Sequence, residues 1–381
     1  MKRISVITGT RADYGILRPV IRKIHESKKL ELCLIVTGTH LSKKHGMTIN
    51  EIKKDRFPIS AKINIGPKGN TNYHMAKTVG EGIIKLADVF KKMKPDVNLL
   101  LGDRDEVLAS AVAAYHMNIA NAHIHGGDKT LGGIDEYNRH AITKISNIHF
   151  VATKKSKERV IKMGEDLKFV FLTGSPSIDE LIEQRITSKK ELEKKYKINF
   201  KGDEILFLQH PVTTQTNSSK KQINNSLNAI VKLKKTTIAI APNSDAGNYE
   251  IFEQLKIISK KYDFIKLFSN IPREDYLGLL KNCGVLVGNS SSGIIESGFY
   301  DTPVVNIGIR QKFRERGNNV IDVEDNSTRK IYLAIKKSLR SKIRNKNRKM
   351  IYGNGNSSKK IVKYLEKIQI TDKMLQKKII Y

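Results

Sequence analysis

The segment HIHGGDKTLGGIDEYNRHAITK, from His123 to Lys144, gathers three imidazoles, three carboxylates, one guanidinium and four glycines into 22 residues of a lysine-dominated chain. Side chains of these types can ligate a metal, cradle a phosphate or move protons. His123 and His125 are two apart and share one face of a regular strand. No third ligand follows at HxxxH or CxxC spacing, so no metal is expected. Asp135 and Arg139 are four apart and share a helix face, with Glu136 beside them and His140 one position further on. A helical ion pair with a capping acid would account for part of this set. The crowding of titratable groups favours acid–base chemistry.

Other candidate loops follow apolar runs. TGTRADYG comes after Arg3–Thr8, where small residues let backbone amides approach an anion and Arg11 adds a charged donor. It is neither GxGxxG nor a P-loop, which argues against a nicotinamide cofactor. LLLGDRDE places Asp103 and Arg104 just past a strand; Asp103 suits the N-cap of the next helix and, equally, a catalytic carboxylate. QHPVTTQ and APNSDAG put His210 and Asn243 at strand ends. In GNSSSGIIES, Ser290, Ser291, Ser292 and Gly293 precede a helix, so hydroxyls and free amides converge as an anion site. Glu296, one turn into that helix, suits a ribose diol, and Arg310 follows the next strand.

Short runs rich in Val, Ile and Leu alternate with amphipathic segments, the pattern of parallel sheets covered on both faces. Six such runs fill the first 174 residues, and five more begin with ILFLQH. The expectation is an α/β fold of two doubly wound, Rossmann-like domains facing a cleft: 1–177 with the acid–base groups, 178–355 with the anion site, and 356–381 as a C-terminal helix able to cross back to the first. A basic, hydroxyl-rich wall opposite a carboxylate and imidazole wall reads as a nucleotide diphosphate held by the second half, its sugar offered to the first.

The formal charge of +31, from 69 Lys and Arg against 38 Asp and Glu, is spread along the chain and reads as solvated helix faces. With no Trp and no nucleic-acid motif, an RNA or DNA partner is not expected. Cys33 and Cys283 lie in apolar runs and imply no disulfide. The chain opens directly on a strand-like run, without a signal peptide or membrane span, so a cytoplasmic location is expected.

Taken in order from about residue 3 to 322, the motifs TGTRADYG, GDRDE, HIHGGDKTLGGIDEYNRHAITKIS, HPVTT, PNSDAG and GNSSSGIIES with TPVVNIGIRQKFRERG resemble the hydrolysing UDP-N-acetylglucosamine 2-epimerases of sialic acid biosynthesis, within the wider UDP-GlcNAc 2-epimerase group of GT-B fold. Non-hydrolysing relatives carry a Pro-Glu pair in the first loop, and GTRADYG looks like the hydrolysing branch. The resemblance implies substrate phosphate or nucleotide contacts at Arg11 and Arg104, with His210, Asn243, Ser290, Ser291, Glu296 and Arg310 completing the UDP site. It implies a catalytic side of Asp103, Asp135 and Arg139, with Glu136 beside them. His125 stands where many members carry a catalytic Glu, HIEGG in place of HIHGG, and it becomes the candidate second acid–base group. The loop before Asp135 is one residue longer.

The implied reaction converts UDP-N-acetylglucosamine and water to N-acetylmannosamine and UDP, through elimination to a 2-acetamidoglucal and then hydration. It needs no cofactor, and the implied assembly is a homo-oligomer, dimer or tetramer. The alternatives are the same chemistry on UDP-2,4-diacetamido-2,4,6-trideoxyglucose, a GT-B glycosyltransferase, and a nucleotide-sugar or RNA-binding protein. A binding protein has no use for the clustered Asp103, His125, Asp135 and Glu136.

Overall fold

The computed structural model describes residues 1–42, 46–66, 72–129, 134–183, 185–242, 247–340 and 351–380. It divides into two compact units, one formed by Met1–Asp128, Asp135–Ile182 and Tyr352–Tyr381, the other by Lys129–Ile134 and Glu183–Ile351. The main boundaries fall a few residues from the 177/178 and 355/356 divisions read from the sequence.

The first unit carries β1 (Lys2–Thr8), β2 (Leu30–Val36), β3 (Ile59–Lys62), β4 (Val97–Leu101), β5 (Ala120–Ile124), β6 (Ile148–Val151) and β7 (Val170–Leu172) in the order β3-β2-β1-β4-β5-β6-β7. Every pairing is parallel. Alternate residues of one strand feed different cores. In β4, Leu99 and Leu101 join Ile4, Val6, Leu17 and Ile21 on one face, while Leu100 joins Ile7, Leu86 and Phe90 on the other. This two-sided demand is why β4 is apolar along almost its whole length.

The second unit has β8 (Ile205–Leu208), β9 (Thr237–Ile240), β10 (Ile265–Phe268), β11 (Val285–Gly288), β12 (Val304–Ile307) and β13 (Val320–Val323), ordered β10-β9-β8-β11-β12-β13 and again all parallel. In both sheets the order reverses beside the first strand, between β1 and β4 and between β8 and β11. That reversal opens a crevice at the carboxyl ends of those strands, where doubly wound sheets bind ligands.

Two strands escape the sequence reading, β3 and β13, and both are edges. Their burial patterns are only partial, so their residues lack a continuous apolar run.

The helix Ser357–Lys367 returns to the first unit, where Ile361 and Leu365 are fully buried in the core beside Leu17 and Val20. Burial of each such side chain contributes roughly 1.5–3 kcal/mol. Asp179 caps its start, accepting from the amides of Ser357 at 3.0 Å and Ser358 at 2.8 Å and from the Ser358 hydroxyl at 2.7 Å. Further on, Lys377 Nζ lies 2.5 Å from the buried Glu165 carboxylate, which also meets Lys144 at 2.9 Å and His149 at 3.0 Å. Among the described residues no helix is long and apolar enough to cross a membrane.

Candidate active site

In the first unit, β4 ends at Leu101 and the chain turns at Gly102, whose φ of +74° is open to glycine. His123, fully buried at the end of β5, holds this turn through Nε2 and the Gly102 carbonyl at 2.7 Å, with Nδ1 3.2 Å from the Thr143 hydroxyl. Burial lowers its pKa to about 3, so the ring is neutral and structural. Asp103 follows the turn. The N-cap of the helix Asp105–His116 is Arg104, not Asp103, and its cap is made by the backbone carbonyl, which receives the Val107 and Leu108 amides at 3.0 and 2.9 Å. The Asp103 carboxylate is thereby not spent on capping that helix.

That carboxylate meets Arg139. The helix Ile134–Lys144 carries Asp135, Glu136, Arg139 and His140. Arg139 is 2% exposed and reaches Asp103 with Nη2, and Glu136 Oε2 and the Asp128 carbonyl with Nη1 at 2.6 and 3.1 Å. Burial disfavours its charge, but Asp103, Asp128 and Glu136 outweigh that penalty and raise its pKa above the ordinary arginine value. His140 Nε2 lies 3.0 Å from the second Glu136 oxygen. Asp135, one residue into the helix, is half-buried. One permanent cation thus orients two carboxylates, Asp103 and Glu136.

His125 lies just beyond β5 with φ of +67°, a left-handed conformation that ends the alternation of the strand. It therefore does not share a face with His123, as regular strand spacing suggests. Its ring is buried, Nδ1 2.9 Å from Asp128 and Nε2 2.9 Å from the Ser175 hydroxyl.

At the β1–β4 crevice, Thr10 caps the helix Arg11–Glu26 in a capping box with Asp13. Arg104 Nε lies 2.8 Å from Glu106 and 3.9 Å from Asp13. Glu106 packs so tightly on Gly9 that a Cβ there would stand 1.9 Å from its Oε1, which explains the glycine in TGT. Burial raises the Asp13 pKa to about 6; Arg104 opposes the rise and Glu106 reinforces it. Arg11 pairs with Glu51 at 3.0 Å. Asp13 and Glu106 stand inside the motifs that single out Arg11 and Arg104, yet nothing in their spacing signals that both face Arg104.

In the second unit, Asn289 joins the two loops at the β8–β11 crevice. Its side chain accepts the His210 amide at 2.7 Å and donates to the His210 carbonyl at 2.8 Å. Its own carbonyl accepts Arg310 Nη1 at 3.2 Å and Gln311 Nε2 at 3.1 Å. His210, Ser290, Ser291 and Arg310 are accordingly brought to one end of this sheet. Asn243 lies outside the described residues.

The helix after β11 is shorter than the sequence suggests. It is a single turn, Ser292–Ile295, with Ser291 at its N-cap and Glu296 ending it, followed by a 3-10 turn. Ser290 and Ser292 bond each other at 3.0 Å, and the Tyr276 hydroxyl bonds Ser292. Burial pushes the Tyr276 hydroxyl above its ordinary pKa, so it stays protonated. Glu296 is clamped by Arg273 through two bonds of 2.9 and 3.0 Å. Arg273 and Tyr276 come from the helix Arg273–Asn282 and carry no local signal in IPREDYLG; Asn289 could have been found from its place directly after a strand in VGNSSSG.

Comparison with known proteins accords with this arrangement. Residues 22–366 match the family model described as UDP-N-acetylglucosamine 2-epimerase. The chain is 38% identical over 378 residues to the UDP-N,N'-diacetylbacillosamine 2-epimerase (hydrolyzing) of Legionella pneumophila, a span covering 99% of either chain. It is 40% identical over 326 residues to the polysialic acid biosynthesis protein P7 of Escherichia coli, covering 85% of this chain and 83% of that one. Its fold matches the crystal structure of the Neisseria meningitidis UDP-GlcNAc 2-epimerase bound to UDP-GlcNAc, with a TM-score of 0.82 at 22% identity over 97% of this chain and 100% of the other. Two Rossmann-like α/β units of GT-B type and a match running nearly end to end place the chain in the UDP-N-acetylglucosamine 2-epimerase family.

Proposed function

We propose that this chain is a hydrolysing 2-epimerase acting on UDP-2,4-diacetamido-2,4,6-trideoxyglucose, that is, UDP-N,N'-diacetylbacillosamine. The observation that carries this reading is the 38% identity, over 99% of both chains, with the Legionella enzyme of that name. The order of the two substrates read from the sequence is thereby reversed.

UDP leaves from C1 as the C2 proton is removed, giving a glycal; water then adds at C1 and a proton returns to C2 from the other face. UDP and the free C2-inverted sugar account for every atom of substrate and water. Asp103, steered by Arg139, takes the C2 proton, and Asp135 with Glu136 supplies the carboxylate for the opposite face. Negative charge grows on the departing diphosphate, so donors fixed in advance stabilise the transition state more than the ground state. Arg310, Ser290, Ser291 and His210 fill that role, with Asn243, Arg11 and Arg104 as further nucleotide contacts, and Glu296 receives the ribose hydroxyls.

A second reading, UDP-N-acetylglucosamine as substrate, draws on the 40% identity with the polysialic acid biosynthesis protein. Incubation with each nucleotide sugar in deuterated water, followed by NMR, separates the two. The expected products are UDP and a 2,4-diacetamido sugar of inverted C2 carrying deuterium there, with kcat/KM at least about 10-fold above that for UDP-N-acetylglucosamine. The opposite preference establishes the second reading, and UDP release without C2 exchange overturns both. Asp103→Asn should lose C2 exchange by about 10²–10⁴ while still binding UDP.

A further inference from the structure

His125 occupies surroundings unlike those of a proton carrier. The ring is 7% exposed, with one nitrogen 2.9 Å from Asp128 Oδ2 and the other 2.9 Å from Ser175 Oγ. Each partner is itself secured: Asp128 Oδ1 accepts from the Ser156 hydroxyl at 2.8 Å, and Ser175 meets the Ser177 hydroxyl at 2.7 Å. Ser156 in turn meets Thr153, the N-cap of the helix Lys154–Lys162, at 2.8 Å. A carboxylate only accepts, so Nδ1 donates to Asp128, and Nε2 faces the Ser175 hydroxyl.

The sequence of groups is that of a serine–histidine–aspartate triad, but Ser175 is fully buried and Asp128 3% exposed, so no substrate reaches the hydroxyl. What the chain of bonds does reach is Arg139. The Asp128 carbonyl accepts Arg139 Nη1 at 3.1 Å, and the same guanidinium holds Asp103 and Glu136. The loops after β5, β6 and β7 are thereby tied to the cation between the two reacting carboxylates.

We propose that His125 is a positioning residue: with Ser175 and Asp128 it forms a buried relay that fixes the Asp128 backbone and so sets the angle of Arg139 on Asp103 and Glu136. The inference rests on the epimerase reading above. It assigns roles to Asp128 and Ser175 and removes His125 from the proton carriers.

Two substitutions test it. His125→Asn puts an amide nitrogen near the place of Nδ1, keeps a donor for Asp128, tolerates a left-handed backbone and cannot titrate. His125→Leu removes both bonds. A relay leaves the Asn variant within about fivefold of the parent in kcat, with the shape of the kcat–pH profile kept, whereas loss of a proton carrier costs about 10²–10⁴ and a limb of that profile. The Leu variant is expected to lose about 10- to 100-fold in kcat with KM within about threefold, the pattern of displaced catalytic groups. A large loss in the Asn variant, with altered pH dependence, overturns the proposal, and the Asn variant decides the matter if the Leu variant does not fold.

A readout independent of turnover is ¹⁵N NMR of histidine-labelled protein. His125 is expected as the Nδ1–H tautomer with a slowly exchanging proton, and an Nε2–H tautomer overturns the relay. If the parent protein catalysed no C2 exchange while this signal was present, the assigned reaction would fail and the hydrogen-bonded relay would stand.

Discussion

Arg273 and Glu296 form a two-point ion pair, Nη1 to Oε2 at 3.0 Å and Nη2 to Oε1 at 2.9 Å, around a carboxylate only 5% exposed. Two parallel bonds fix the plane of the carboxylate and leave one lone-pair direction on each oxygen. That is the geometry a vicinal diol needs. Lysine would keep the charge and lose the fork. Arg273→Lys is therefore expected to weaken UDP binding about 10-fold, the cost of one charge-assisted hydrogen bond, with kcat within about threefold. Calorimetric titration with UDP measures this; undiminished affinity would free Glu296 from the ribose.

Asp13 gives stability an unusual slope. Its pKa is raised to about 6, so between the ordinary value near 4 and about 6 the folded chain holds a proton that the unfolded chain has released. Its contribution is therefore most favourable below about pH 4 and declines as pH rises through 6. Asp13→Asn still accepts the Thr10 amide and has no proton to lose. Relative to the parent, it is expected to gain roughly 2–3 kcal/mol on going from pH 4 to pH 7, from the two-unit displacement. Urea titrations at both pH values would show parallel losses if Asp13 were not the source.

Glu165 slopes the other way. Burial would raise its pKa, but His149, Lys377 and Lys144 outweigh burial and bring it to about 2. Its stabilisation is complete above its ordinary pKa and is lost as pH falls toward 2. Glu165→Gln leaves two lysines beside a neutral amide and is expected to cost about 3 kcal/mol at pH 7. The gap should close on acidification, and residues near Lys377 should become cleavable by protease in the variant first. A uniform loss at every pH would place the effect in packing.

The fold and half of the site were legible because they depend on local pattern. Strands buried on two faces announce themselves, as β4 does, whereas β3 and β13 at the edges do not. Helical spacing brought Asp135 and Arg139, four residues apart, to one face, and the ion pair within that helix shown for Arg139 is with Glu136, three residues away. Arg273 and Glu296 are 23 residues apart, and Ser175 and His125 are 50 apart, distances at which only the packed chain brings partners together. The backbone turn at His125 also defeats any inference from alternation, because a positive φ leaves no trace when the residue is not glycine.

The return of Ser357–Lys367 to the first unit has a consequence for how the protein comes into being. The second unit is drawn almost wholly from the unbroken run Glu183–Ile351, so its strands are complete while the chain is still being made. The first unit starts earlier and finishes later: Ile361, Leu365 and Lys377, which close its core and its flank, are synthesised only after the whole of the second unit. Birth order and assembly order are crossed. Once residues up to Ile351 have emerged from the ribosome, the second unit has all its strands, while the first still waits for the helix Ser357–Lys367.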